Sequence, residues 1–261
     1  MTRTYVVTGA ASGIGAATTE HLRTAGSTVI TVDLHHADIE VDLSTAEGRT
    51  ALVDQVSERS GGRIDAIIAV AGLVAASPVT VGVNHFGAIA TLEGLRPLLA
   101  GSDAPRAAVV ASLAALEETD PGLLDALERG DEPAALAEAE RIGTDTNAAG
   151  SSPIYTTTKL AIAHWIRRAA PTPEWAGAGI ALNAIAPGVI ETPMTRPALD
   201  SAEGRAALDA GAPSPLNGPA APTAAPAALL AWLTSAENTH VTGQIVFIDG
   251  GAESIRRPEL V

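Results

Sequence analysis

Short apolar runs recur along the chain, separated by stretches of helix length. The runs are TYVVT (4–8), TVITVD (28–33), IDAIIAVAG (64–72), AAVVAS (107–112), IALNAIAPG (180–188) and QIVFIDGG (244–251). They are rich in Val and Ile and nearly continuous in hydrophobicity rather than alternating, as strands covered on both faces must be. Between them lie amphipathic segments such as 45–60, with Ala51, Leu52, Val53 and Val56 as apolar positions. Repetition of strand, helix and strand predicts an α/β fold: a doubly wound parallel sheet with helices on both faces. A further strand ending in EVDLS brings the expected sheet to seven strands. No linker interrupts the pattern, so residues 1–261 read as a single domain.

Two segments exceed the minimal version of that plan. Residues 113–150 are acidic, with Leu123, Leu124, Leu127, Leu136 and Ile142 around DEPAALAEAE, which predicts a helical insertion at about 116–148. Residues 193–226 hold seven prolines among Gly and Ala and read as an irregular loop. Both follow strand C-termini, the edge where open α/β sheets bind ligands.

Composition narrows the function classes. Aromatics make up 3% of the chain against 46% hydrophobic residues, so the core must be built from Ala, Val, Leu and Ile. A net charge of −14 disfavours nucleic acid and anionic membranes as partners. The absence of cysteine excludes disulfides, Cys-ligated zinc and thiol catalysis, and no metal-ligand spacing occurs. There is no uninterrupted apolar run of 18 residues, and MTRTYVVTGAASGIG lacks the apolar stretch of a signal peptide. A cytoplasmic protein is the expectation.

Candidate chemistry begins at TGAASGIG, between the first strand and the first helix. Gly9, Gly13 and Gly15 permit a tight turn and close backbone approach, leaving amides at the helix N-terminus to face a pyrophosphate. Asp33 ends the second strand, 18 residues beyond Gly15. A carboxylate there accepts hydrogen bonds from both adenosine ribose hydroxyls and repels a 2′-phosphate. The following LHHAD offers no arginine to receive that phosphate, so NAD is favoured over NADP. Asp42, in EVDLS at the end of the third strand, is placed to face the adenine amino group. His35 and His36 read as exposed loop residues, and His85 as structural.

Tyr155 and Lys159 stand at i and i+4 on one helix face in SSPIYTTTKLAIAHW. Lys159 is the only lysine among 16 Lys and Arg residues, and Tyr155 is one of two tyrosines. A neighbouring ammonium favours the phenolate and lowers a tyrosine pKa toward useful acid–base chemistry. Arginine carries the same charge, but as a planar fork that does not deprotonate.

With these residues in view, the chain resembles the short-chain dehydrogenase/reductase family nearly end to end. TGAASGIG is similar to that family's TGxxxGxG turn, YTTTK to its YxxxK and APGVIET to its PGxxxT segment. TGQIVFIDGG is similar to its closing strand. Ser112 in VVASLAA and Asn84 in GVNHFGA occupy the family's serine and asparagine positions. The resemblance implies a Rossmann fold and hydride exchange with a nicotinamide, with Tyr155 exchanging a proton with the substrate oxygen. Ser112 would bond that oxygen, and Lys159 would tune the tyrosine and hold ribose. Asn84 would hold a water in a proton relay. For the cofactor the resemblance implies Gly9, Ser12, Gly13, Ile14 and Gly15 in the turn, then Asp33 and Leu34, Asp42 and Leu43. It adds Ala71 and Gly72 after the fourth strand, and Pro187, Gly188, Ile190 and Thr192 after the sixth, beside Tyr155 and Lys159. Thr192 would contact the nicotinamide carboxamide.

The departures are also informative. The family's NNAG reads Ala69-Val70-Ala71-Gly72 here, without its two sheet-supporting asparagines. Only 12 residues lead from Gly72 to Asn84, too few for the usual helix, and 43 separate Ser112 from Tyr155. These lengths, with VDLSTAEGR, LNAIAPG and the tail RRPEL, are most similar to the bacterial 3α-hydroxysteroid dehydrogenase/carbonyl reductase branch. That implies a secondary alcohol or ketone substrate and a homo-oligomer, dimer or tetramer. The insertion either obstructs the usual helix pairing, leaving a dimer formed through the last helix and strand, or merely packs on the surface. Leu113, Leu116, Met194, Leu199 and Leu216 are the expected apolar substrate contacts, with Ser112. Two other readings stay open: a 3-oxoacyl-thioester reductase, against which Asp33 and the acidic surface argue, and a non-catalytic nucleotide-sensing regulator.

Overall fold

The computed structural model describes residues 2–146 and 151–259, so positions 147 and 148 of the expected insertion lie outside the described residues. The apolar runs form seven strands: β1 (Thr4–Thr8), β2 (Thr28–Asp33), β3 (Ile39–Glu40), β4 (Ala66–Ala69), β5 (Arg106–Val110), β6 (Ala181–Pro187) and β7 (Ile245–Ile248). They pair in parallel in the order β3-β2-β1-β4-β5-β6-β7. Strand β3 is shorter than EVDLS suggested and stops at Glu40, leaving Asp42 in the turn beyond it. Its pairing with β2 is confined to Val32↔Ile39 and Asp33↔Glu40.

Side-chain alternation along each strand builds two cores. Val6, Ile30 and Ile67 point to one face, where α2 (Ala46–Ser60), α4 (Ala88–Leu95) and α7 (Pro153–Ala169) bury Leu52, Leu92 and Ile162. Tyr5, Val7 and Ile68 point to the other, against α1 (Gly13–Thr24) and α10 (Ala224–Leu233), which bury Leu22 and Leu230. One turn of helix, α3 (Pro78–Val81), starts at the Ser77 cap and runs through a π-helical stretch, Gly82–Gly87, into α4. The 12 residues from Gly72 to Asn84 thus hold a short loop, 73–77, and the start of this rod.

Helices α5 (Pro121–Glu128) and α6 (Glu132–Ile142) occupy the expected insertion. Each opens on an aspartate whose side chain accepts from a backbone amide, Asp120 from Leu123 and Asp131 from Ala134, with proline in the first turn. Leu123, Leu127, Ala135 and Ile142 form a third apolar cluster with Val81, Ile154 and Ala161. Polar clasps hold the pair in place: Arg49 of α2 chelates Glu132, and Glu128 receives His164 at 2.6 Å and Arg168 at 3.2 Å from α7.

His85 lies under this insertion, 2% exposed, with Nε2 donating to the Leu127 carbonyl at 3.2 Å. Its Nδ1 has no hydrogen-bond partner among the described residues. Burial lowers its pKa from 6.5 to about 4, because the site disfavours the imidazolium. The unfolded chain therefore binds a proton that the native one does not between those values, and stability falls as pH drops through that window. The expected loss at pH 5 is about 2 kcal/mol, on the order of 5 °C in midpoint. His85→Gln should show a smaller midpoint difference between pH 7.5 and pH 5; equal differences would remove His85 from the account.

The proline-rich segment carries α8 (Arg196–Leu199) and α9 (Ala202–Gly211), neither of which buries a residue. Its neck is a bridge between Ile190 and Ala221, and its far part is tied by Leu216 N–H donating to the Gly250 carbonyl at 3.1 Å. The last helix, α11 (Ala252–Arg256), follows the Gly250-Gly251 turn. Among the described residues no helix is long and apolar enough to cross a membrane.

Candidate active site

The chain winds outward from β1 through β2 to β3, then crosses back to start β4 beside β1. At this reversal the C-terminal ends of the strands diverge, and a cavity of about 440 Å³ opens there. Every residue of the expected cofactor set lines it, as do Ser112 and Met194.

Three glycines shape the nucleotide end. Gly9, at φ +66°, lets its turn pass so close to the β4 loop that a Cβ would lie 2.8 Å from the Ala71 nitrogen. A Cβ on Gly15 would lie 2.0 Å from the Gly9 carbonyl oxygen. Ser12 stands at the N-cap of α1 without a side-chain cap hydrogen bond, and the first turn carries no acid. The positive end of that helix therefore faces the cavity uncompensated by its own side chains. Across the gap, Thr192 approaches within 3.2 Å of where a Cβ on Gly13 would be. This cradle, too tight for side chains and rich in amides, fits a dinucleotide pyrophosphate.

Asp33 is fixed by its own neighbourhood: one carboxylate oxygen accepts from Ala11 N–H at 2.8 Å, the other from Leu34 N–H at 2.7 Å. Asp42 accepts from the backbone and hydroxyl of Ser44 at 2.9 and 2.7 Å. Where the two asparagines are missing, the Thr8 hydroxyl takes over part of the support, accepting from Val70 and Ala71 at 3.1 and 3.2 Å.

The chemical end is assembled from β5, α7 and the rod. Ser112, just past β5, caps a 3-10 turn, Leu113–Leu116, by accepting from Ala114 N–H. It lines the cavity together with Tyr155. Tyr155 enters in the first turn of α7, which starts at the Ser152 cap with Pro153 at its first position. One turn on, Lys159 is 5% exposed; its Nζ donates to the Val110 carbonyl at 2.9 Å and lies 5.7 Å from the centre of the Tyr155 ring. Burial lowers its pKa to about 8.

The tyrosine departs from the sequence expectation of a lowered pKa. Burial pushes the phenol above its usual value, the Ser112 hydrogen bond opposes the rise, and the Glu117 carboxylate adds to it. Lysine and tyrosine share one desolvated pocket, so burial disfavours the charged form of each and outweighs their attraction.

Asn84, on the π-helical stretch, is 2% exposed and does not line the cavity. Its Oδ1 accepts from Leu73 N–H at 2.7 Å, and its Nδ2 donates to the Leu73 carbonyl at 2.8 Å and to Thr158 at 3.3 Å. Gly72 is the thin wall between it and Lys159: a Cβ there would be 3.3 Å from Asn84 Oδ1 and 3.5 Å from Lys159 Nζ.

At the substrate end, Met194 lines the cavity, whereas Leu113, Leu116, Leu199 and Leu216 do not. Leu113 turns into the protein behind the Ser112 cap and is 3% exposed, while Leu216 rides on the segment tied to Gly250 and is 68% exposed. Leu73, Val79 and Val83 add apolar side chains to the lining. A signal for two of them was present: Val79 and Val83 stand four apart after the Ser77-Pro78 helix start.

Fold and site together define a dehydrogenase/reductase enzyme. Residues 133–253 match the family profile described as enoyl-(acyl carrier protein) reductase. The chain is 34% identical over 259 residues to 3-alpha-hydroxysteroid dehydrogenase/carbonyl reductase of Comamonas testosteroni, covering 97% of each. It is 28% identical over 273 residues to cis-4-hydroxycyclohexanecarboxylate dehydrogenase of Sinomonas cyclohexanicum, again covering 97% of each. Its fold overlays the crystal structure of 3-alpha-hydroxysteroid dehydrogenase from Pseudomonas sp. B-0831 complexed with NADH. That overlay has a TM-score of 0.86 at 34% identity and covers 99% of this chain and 100% of the other. The chain belongs to the short-chain dehydrogenase/reductase family.

Proposed function

We propose that this enzyme interconverts a secondary alcohol and a ketone with NAD, and that its substrate is alicyclic, of hydroxysteroid type. The observation that carries the reading is the convergence of Ser112, Tyr155 and Lys159 on the one cavity that Asp33 also lines. Bound NAD accepts or returns the hydride. Tyr155 takes the alcohol proton or gives it back to the ketone oxygen, and Ser112 hydrogen-bonds that oxygen as its charge develops. Lys159 holds ribose and supplies positive charge beneath the phenol, while Asn84 fixes the Leu73 backbone along one wall. The apolar lining of Leu73, Val79, Val83 and Met194 suits a ring system better than a charged chain.

Asp33 carries the preference for NAD, since its two backbone hydrogen bonds hold the carboxylate in place against a 2′-phosphate. Asp33→Ser should lower the NAD-over-NADP ratio of kcat/KM by about 10- to 100-fold, equivalent to about 1.4–2.7 kcal/mol. An unchanged ratio would transfer that discrimination to another group.

The reading is tested by following NADH formation from NAD with 3α-hydroxysteroids and cyclic alcohols, beside 3-oxoacyl thioesters with NADPH. Turnover of the ring alcohols is expected. Faster turnover of the thioesters would favour the acyl-reductase reading, and NAD binding with no turnover the regulatory one.

The partner surface follows from the same elements. Helices α5 and α6 cover α7 and the π-helical stretch within the chain itself, while β7 forms an open sheet edge with Ile245–Ile248 only half-buried. A dimer through that edge leaves no exposed ladder. Solution mass should be twice 26.3 kDa. A tetramer that survives deletion of 116–148 would overturn this assembly.

A further inference from the structure

We propose that Lys159 is a carbonyl-reactive amine, and that in the cofactor-free enzyme an aldehyde entering the cavity forms an imine at its Nζ in competition with NAD. The competition rests on the proposed function; the reactivity rests on the site. Every other basic side chain apart from the histidines is arginine, so Lys159 and the N-terminus are the chain's primary amines. Arginine stays protonated and does not add to carbonyls at neutral pH.

Three features make this amine reactive. It lines the cavity together with Tyr155 and Ser112. Among the described residues no carboxylate pairs with it, and its hydrogen bond goes to the neutral Val110 carbonyl at 2.9 Å. Nothing therefore holds the proton as a counter-ion would. In agreement, burial brings its pKa to about 8, so about a tenth of it is neutral at pH 7 and half at pH 8. The residue beside it is glycine, with 3.5 Å between Nζ and the place of a Cβ on Gly72, so that position adds no side chain to crowd the amine.

The step balances without oxidant or reductant. The neutral Nζ lone pair forms a bond to the carbonyl carbon while the carbonyl π pair moves to oxygen. Tyr155 and Ser112, which polarise a substrate carbonyl, supply hydrogen bonds and a proton to that oxygen. Nζ returns one hydrogen to Tyr155 as the neutral carbinolamine forms; its second hydrogen then passes through Tyr155 to the hydroxyl, which leaves as water while the carbon–nitrogen double bond forms. Aldehydes are favoured over ketones because their carbon is less hindered and more electrophilic. The imine hydrolyses by the reverse path. An aldehyde would thus inhibit by occupying the ribose-side amine, and order of addition would matter: NAD first protects, aldehyde first delays turnover.

The probe is benzaldehyde with cyanoborohydride, applied to the purified full chain stripped of cofactor. One benzyl group is expected on Lys159, read by peptide mass and by loss of tryptic cleavage at the chain's only lysine. Labelling should rise at least about threefold from pH 7 to pH 8, following the neutral fraction. Saturating NAD should slow it at least tenfold. Lys159→Arg should label only at the N-terminus. Label confined to the N-terminal amine in the unsubstituted protein, or a Lys159 rate indifferent to NAD, would overturn the proposal. Because labelling is read by mass, lack of turnover with any alcohol would sink the functional reading and leave this one standing.

Discussion

Tyr155→Phe is expected to lower kcat and kcat/KM for alcohol oxidation by about 10³- to 10⁴-fold, the upper range for removing a positioned acid–base group. NAD affinity should change by less than about threefold, because the phenyl ring keeps its place on α7 and the hydroxyl alone is lost. Tyr155 lines the cavity beside Ser112, and no other phenol lines it. Binding measured by quenching or calorimetry, beside steady-state rates, separates the two effects. A variant that kept a tenth of the activity would move the proton transfer elsewhere. Burial raises the phenol pKa, and oxidation requires the tyrosine to accept a proton. The rate of the unsubstituted enzyme should therefore still be climbing with pH above the neutral range, and the limb should be absent from the phenylalanine variant.

Gly15→Ala is expected to have the second largest effect, on cofactor binding and on the fold around it. In an ordinary helix interior this change stabilises by about 1 kcal/mol, because alanine is the better helix former. Here the added Cβ would stand 2.0 Å from the Gly9 oxygen, 2.6 Å from its carbonyl carbon and 3.2 Å from the Ala10 Cα. All three are backbone atoms, so no side chain can swing away. Either α1 lifts from the end of β1 or the turn flattens, and both dismantle the amide cradle. NAD affinity should fall by at least about 100-fold, a loss of roughly 2.7 kcal/mol or more. Gly211→Ala is the control: nothing lies within 4 Å of its Cβ position at the end of α9, and neither affinity nor midpoint should move appreciably. Equal behaviour of the two variants would mean that the turn is more pliable than its contacts indicate.

The strands were legible because a parallel sheet buried on both faces leaves long unbroken Val and Ile runs. Strand β3 was legible only as a presence, since two residues with a single buried side chain carry almost no pattern. Asp33, Tyr155 and Lys159 could be read from spacing because their positions follow from local geometry, a strand end and a helix repeat. The substrate wall could not be read in that way. Leucines near the insertion were the natural expectation, yet whether Leu113 faces the cavity depends on how the Ser112 cap turns the chain. Leu73 is placed there by donating its N–H to Asn84 Oδ1 and accepting from Asn84 Nδ2, 11 residues away. The tyrosine shift failed for a related reason: spacing shows that a lysine is near, but not how far the fold withdraws the phenol from water.

Helices α8 and α9 bury no side chain, and their segment is tied at its neck and at Leu216. Such a segment opens at small cost in free energy, without disturbing either sheet core, and its amides belong to the first to trade hydrogen with solvent. Exchange across 196–211 is therefore expected to run ahead of that in the two cores, which keep their protection while this segment opens and closes.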